Sequence, residues 1–296
     1  MPNNIFEATA EYMDLPRRIE SIEQLFAHKN AAREKVLFDN TIFQAAEYDL
    51  SFEEAVDRYL FLGWPGRHGC ESLSRWKAIL KISTLQDITQ SELHTYRYLE
   101  YVRNMLPLIS RQGNAIQVNQ SVMDALARDV EELASLSGQT FTEIDPECFV
   151  LCALEPGAMQ AAAIADAEES GLLARYLHFE TKDNLAAKKS ILNDLSKHFE
   201  SRKGLLDRNS GLVSDLGYLL NNLDIRHSNT KGPKKKPGLD GIPDEELIRW
   251  CDFAFNLHIE AMLEADRAGH KAELNDLKRR VGLHPEQEAH PPEQGS

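Results

Sequence analysis

The chain has 296 residues, with 33 Lys and Arg against 47 Asp and Glu, a formal net charge of −14, and 42% hydrophobic residues. That length allows one large or two ordinary domains, and the apolar fraction excludes disorder as a description of the whole. A field averaging −14 also excludes broad coating of nucleic acid, since it repels phosphate.

No run of about 18 apolar residues occurs, so no membrane span is expected. The start, Met1-Pro2-Asn3-Asn4-Ile5-Phe6-Glu7, lacks the basic and apolar regions of a secretory leader. Four cysteines, Cys70, Cys148, Cys152 and Cys251, are too few for a disulfide framework, so a reducing cytoplasm is the expected location. Cys148 and Cys152, four apart, are expected on one helix face as buried thiols rather than as half of a metal site.

Apolar residues recur at spacings of three and four along nearly the whole chain, which predicts an all-α multi-helix fold. Pro16 to about Asp49 reads as two helices, the first with Ile19, Ile22, Leu25 and Phe26 as its stripe. Ser51-Phe52-Glu53-Glu54 is a capping box opening a helix that ends at Gly63. Helix resumes at Glu71 through Trp76, Ile79 and Leu80. Asp87 is read as the N-cap of the longest helix, 88–111, and Asn119 as the start of another that ends near Gly138. Asp145-Pro146 reads as a further helix start. From there to Asn229 the chain reads as four helices, with breaks expected at Pro156-Gly157, Gly171 and 204–211. A last long helix begins after Pro243 with Asp244, Glu245 and Glu246 in its first turn, where carboxylates oppose the helix dipole. The expected organisation is an N-terminal helical region over 1–140, a second helical domain over 141–280 and a disordered tail over 281–296.

Residues 200–236 hold eight basic and four acidic side chains, a local net charge of +4 that leaves −18 on the remainder. One reading of this island is helix capping followed by a solvated lysine loop. The other is a phosphate or RNA site. There Asn222 and Asn229 with Lys231, Lys234, Lys235 and Lys236 hold the backbone, and an Arg-His pair, Arg226-His227, supplies charge and proton transfer without a metal or cofactor.

The run Asn222-Leu223-Asp224-Ile225-Arg226-His227-Ser228-Asn229, followed by a polar loop and an amphipathic helix carrying Trp250 and Phe253, resembles the end of HEPN-type helical domains of prokaryotic abortive-infection and defence proteins. The resemblance implies a helical bundle, often a homodimer, and in many members metal-independent endoribonuclease activity. Arg226 matches the family's Arg, and His227 the polar residue beside it. The positions four to six after Arg226, where the family places its His, hold Thr230, Lys231 and Gly232. The acid/base role would then fall to His227, or to His258 from the last helix. The alternatives are a non-catalytic adaptor that binds a protein partner through its N-terminal region, and a DNA-binding regulator. The regulator would use a helix-turn-helix over Ala163–Glu180, with Gly171 at the turn and Arg175, Tyr176 and His178 on the second helix. Tyr96, Tyr98 and Tyr101 with Arg97 and Arg103 could form a stacking surface, whereas the other aromatic positions, Trp250 and Phe253 among them, read as core.

Overall fold

The computed structural model describes residues 15–27, 32–37, 45–67, 69–110, 116–145, 148–207, 211–226, 239 and 241–281. The fold is all-α in its main mass, a multi-helix protein that carries two small antiparallel sheets among the described residues. No helix among the described residues is long and apolar enough to cross a membrane.

The chain divides into two compact units. The first is Met1–Glu155 with Leu173–Lys182, and the second is Pro156–Leu172 with Asp183–Ser296. The boundary thus falls after Glu155 rather than near 140, because a hairpin runs across residue 140 and its pairing cannot be divided.

In the first unit α1 (Leu15–Phe26) buries Ile19, Ile22 and Phe26, as its stripe predicts. The second helix expected before Asp49 is instead a pair of strands, β1 (Ala32–Leu37) and β2 (Ala45–Leu50), antiparallel with Ala32 opposite Leu50. A third strand, β3 (Ile116–Val118), pairs on the other side of β1. The Ser51 capping box forms as read: Ser51 Oγ accepts the Glu54 N–H at 3.1 Å and Glu54 Oε2 the Ser51 N–H at 2.8 Å. It opens α2 (Phe52–Ala55), which widens and then tightens to end at Gly63. Next come α3 (Leu73–Leu80), α4 (Leu85–Ile88) and α5 (Glu92–Ser110).

Asp87 is not the cap of the long helix. It closes a capping box with Thr84 on α4, and α5 begins separately at Glu92. The stacking surface expected on α5 is absent: Tyr96, Tyr98 and Tyr101 are all buried, with Tyr101 packed edge-on to Phe26 and tilted against Trp76. Helix α6 (Gln120–Leu136) is capped by Asn119, as expected. Gly138, at φ 71°, then turns the chain into β4 (Gln139–Asp145), which pairs with β5 (Cys148–Ala153). Asp145 is therefore the last residue of a strand and not a helix cap. Cys148 and Cys152 lie on a strand, where a spacing of four also keeps two side chains on one side.

The second unit contains α7 (Pro156–Ile164), the first turns of α8 (Ala167–Leu177), α9 (Leu185–Arg202), α10 (Leu212–Asn222) and α11 (Asp244–Arg280). Pro156 opens α7, since its ring suits a position needing no amide donor. Gly171 lies inside α8, so the turn required by the helix-turn-helix reading does not form there. Helix α11 packs on α7, α9 and α10 and buries Cys251, Ala254, Phe255 and Met262, while α9 and α10 bury Leu195 and Leu216. Trp250 and Phe253 depart from the core reading. They are exposed, edge to face with ring centroids 6.1 Å apart.

Candidate functional site

A charged constellation lies in the second unit, where α8, α9 and α11 each contribute one side chain. Asp166 Oδ1 accepts the Glu169 N–H at 2.8 Å, which caps α8 and turns Glu169 inward from its first turn. Arg202, the last residue of α9, grips both carboxylate oxygens of Glu169 with its two terminal nitrogens. His258, midway along α11, stands with Nε2 3.1 Å from Glu169 Oε1. An ionised carboxylate only accepts, so Nε2 carries the proton and donates.

Burial is the largest single influence on Glu169 and pushes its pKa up. The hydrogen bonds from His258 and Arg202, with the Arg202 charge, outweigh it and hold the group at about 2. The same hydrogen bond raises Arg202 above its ordinary value. Glu169 is 0% and His258 2% exposed. A histidine oriented by a carboxylate has the form of a general base, but no substrate reaches one at that depth. The arrangement is a bracket binding three helices. Lys188, buried on α9, makes a second link between the same helices by pairing with Asp252 on α11.

Arg226 sits just past α10, where Asp224 takes a left-handed φ of 58° and the Arg226 N–H donates to Leu220 O at 3.2 Å. Its guanidinium meets Glu200 Oε1 at 2.8 Å, with a longer contact of 3.5 Å to the Ser196 carbonyl. Ser196 and Glu200 share one side of α9, while Arg202 projects about 200° round from Glu200. Arg226 and His258 therefore engage different carboxylates by way of different sides of α9, and among the described residues no contact joins them. Asn222 ends α10, its Nδ2 donating back to Tyr218 O at 2.6 Å. His227, Asn229, Lys231, Lys234, Lys235 and Lys236 lie outside the described residues.

Comparison of the chain with protein-family models, with curated proteins and with solved structures finds no match.

The first unit holds a second carboxylate–histidine pair. Asn104 and Glu100, one turn apart on α5, complete the open edge of β5. Asn104 donates to Phe149 O at 2.7 Å and accepts the Phe149 N–H at 2.9 Å, and Glu100 Oε2 accepts the Leu151 N–H at 2.8 Å. His178 Nε2 approaches that same oxygen at 3.0 Å. The Glu180 N–H donates to His178 Nδ1 at 3.3 Å, so the proton sits on Nε2 and points at Glu100. Nearby Cys152 offers no nucleophile, because burial pushes its thiol up to about 12. A cleft of about 210 Å³ opens beside β4, with Arg103, Glu131, Gln139 and Phe141 in its wall. Arg103 stacks 3.7 Å over the Phe149 ring there. The cleft is smaller than the roughly 300–1,000 Å³ of sites for drug-sized ligands. Among the described residues no group of three His, Cys, Asp or Glu side chains is placed to hold a metal.

Sequence reasoning missed Glu169, Arg202, Glu100 and Asn104. Glu168-Glu169 reads as an ordinary acidic first turn, and only the capping Asp166 three residues earlier marks where Glu169 points.

Proposed function

We propose that this chain is a non-catalytic helical adaptor whose work is binding a protein partner. The observation that carries this reading is the engagement of the described charged groups. Glu200 neutralises Arg226, and His258 is sealed on Glu169, so neither is presented to a phosphate. The second unit meanwhile presents the exposed pair Trp250 and Phe253 and a distal α11 segment exposed on all sides, features of binding surfaces.

A second reading is supported by the +4 island and by the resemblance to HEPN-type domains. In it the second unit engages or cleaves RNA, with His227 as acid/base and the lysines of 231–236 holding phosphates.

Purified chain incubated with RNA in EDTA separates the two. The adaptor reading expects RNA that is neither cut nor shifted in a native gel. It also expects Arg226→Ala to cost only about 0.5–1 kcal/mol of stability, because its partner Glu200 is well exposed. Degradation by the parent chain that Arg226→Ala abolishes would establish the nuclease instead.

A further inference from the structure

From Arg267 to Arg280 every described side chain of α11 is exposed, an unaccompanied run of helix. Leu274, Leu277 and Val281 stand 49%, 51% and 63% exposed. They belong to a longer pattern: Leu263, Arg267, His270, Leu274, Leu277 and Val281 recur at alternating steps of four and three. That is the heptad spacing of a coiled-coil seam, with Arg267, Leu274 and Val281 at a positions and Leu263, His270 and Leu277 at d. The helix buries a different stripe in its own unit, through Cys251, Ala254, Phe255, His258 and Met262. At 100° per residue the two stripes are centred about 125° apart, so beyond the half-buried Leu263 the seam lies to one side of the face by which α11 is anchored.

We propose that this arm pairs with the same arm of a second copy in an antiparallel two-stranded coiled coil. The proposal rests on the binding-protein reading above and names its partner. Antiparallel strands set each a residue against a d residue of the other copy. The layers are then Leu263–Val281, Arg267–Leu277 and His270–Leu274, each occurring twice, and none holds two polar side chains. A parallel pair would set Arg267 against Arg267 and His270 against His270, placing like charges in the seam.

The flanking charges agree with the antiparallel register. Asp266 meets Arg280 of the second copy. Glu264, whose Oε1 already accepts the Asp207 N–H at 2.8 Å, lies opposite Lys278. Near the twofold axis Lys271 and Glu273 each face their own copies on opposite sides, so attraction is concentrated at the two ends. The paired length of 19 residues from 263 to 281 is about 28 Å, short for a coiled coil, which makes association weak and concentration-dependent.

Sedimentation equilibrium of the full chain across a wide concentration range tests this. The expected result is a mass rising from one chain to two. Leu277→Glu should leave a folded monomer at every concentration, with the melting midpoint the parent shows when diluted below its dissociation constant, since that side chain is exposed in the single copy. Arg280→Asp should raise the dissociation constant about ten-fold by turning two attractions into two repulsions. Adding Asp266→Arg should restore it, because only the antiparallel register joins these two positions. A chain monomeric at every concentration overturns the proposal, as does a dimer indifferent to Leu277→Glu. Failure of the double exchange to restore pairing overturns the antiparallel register. The adaptor reading is judged separately, on intact RNA in EDTA, so a monomer that leaves RNA intact removes this proposal alone.

Discussion

Each unit of the molecule contains a histidine donating from Nε2 to a glutamate, and the two pairs do different work. In the second unit, Glu169 and His258 are sealed from water and a bidentate arginine balances the charge. In the first, Glu100 and His178 retain side-chain exposures of 24% and 16%, and the same Glu100 oxygen also receives a strand amide. The difference lies in what the carboxylate must satisfy. Glu169 offsets a positive charge in a place where an unbalanced ion would be costly, whereas Glu100 supplies an acceptor that a missing neighbouring strand would otherwise provide. One chemical motif serves as an ionic bracket in one place and as a substitute for backbone in the other. Neither use requires a substrate.

The sharpest challenge to that contrast is to remove the charge from each glutamate. Glu169→Gln should lower unfolding stability by about 4 kcal/mol, since it leaves Arg202 without its counter-charge among packed helices. Glu100→Gln, which keeps an acceptor for the Leu151 amide, should cost about 1 kcal/mol. Urea midpoints measured on both variants check this, and equal losses would break the comparison.

Acid provides the next largest effect. With a folded pKa of about 2 against an ordinary 4.5, Glu169 contributes stability that is complete above about pH 4.5 and is lost as the pH falls toward 2. The expected loss is about 3 kcal/mol, read from urea titrations at stepped pH, with Glu169→Gln flattening the profile. A smaller effect belongs to the strand edge. Asn104→Ala orphans both the N–H and the carbonyl of Phe149 and should cost about 2 kcal/mol. Hydrogen exchange at Phe149 should rise with it, and unchanged protection there would refute the edge-completion account.

Legibility in the sequence followed the range of the interactions involved. The Ser51 box, the Asn119 cap and the acidic first turn of α11 are each settled within four residues, and each forms where the sequence places it. Strands β1 and β2 carry the signature of helix in sequence, since the run 32–37 contains Ala, Arg, Glu, Lys and Leu, all good helix formers. Their state is decided by pairing, Ala32 against Leu50 on one side and Val118 on the other. The hairpin of β4 and β5 is hidden for a related reason, since Asp followed by Pro suits the end of a strand as well as the start of a helix. Gly171 looked like a turn, but in α8 its neighbours carry the helix through it. Trp250 and Phe253 have the character of core residues, and their exposure depends on which face α11 turns to its own unit.

The candidate site divides along the same line. Arg226 and its basic surroundings stand out in sequence because they are clustered, yet the partner that neutralises Arg226 lies on another helix. Glu169 reaches Arg202 across 33 residues and His258 across 89, and no local pattern announces either meeting. The predominance of helix, the local caps and the +4 island are legible in the sequence because residues within a few turns of one another set them. Only the tertiary structure decided which carboxylate meets which cation, which strands exist and which apolar residues remain in water. Those outcomes depend on burial, and burial is a property of what distant segments bring to the same place.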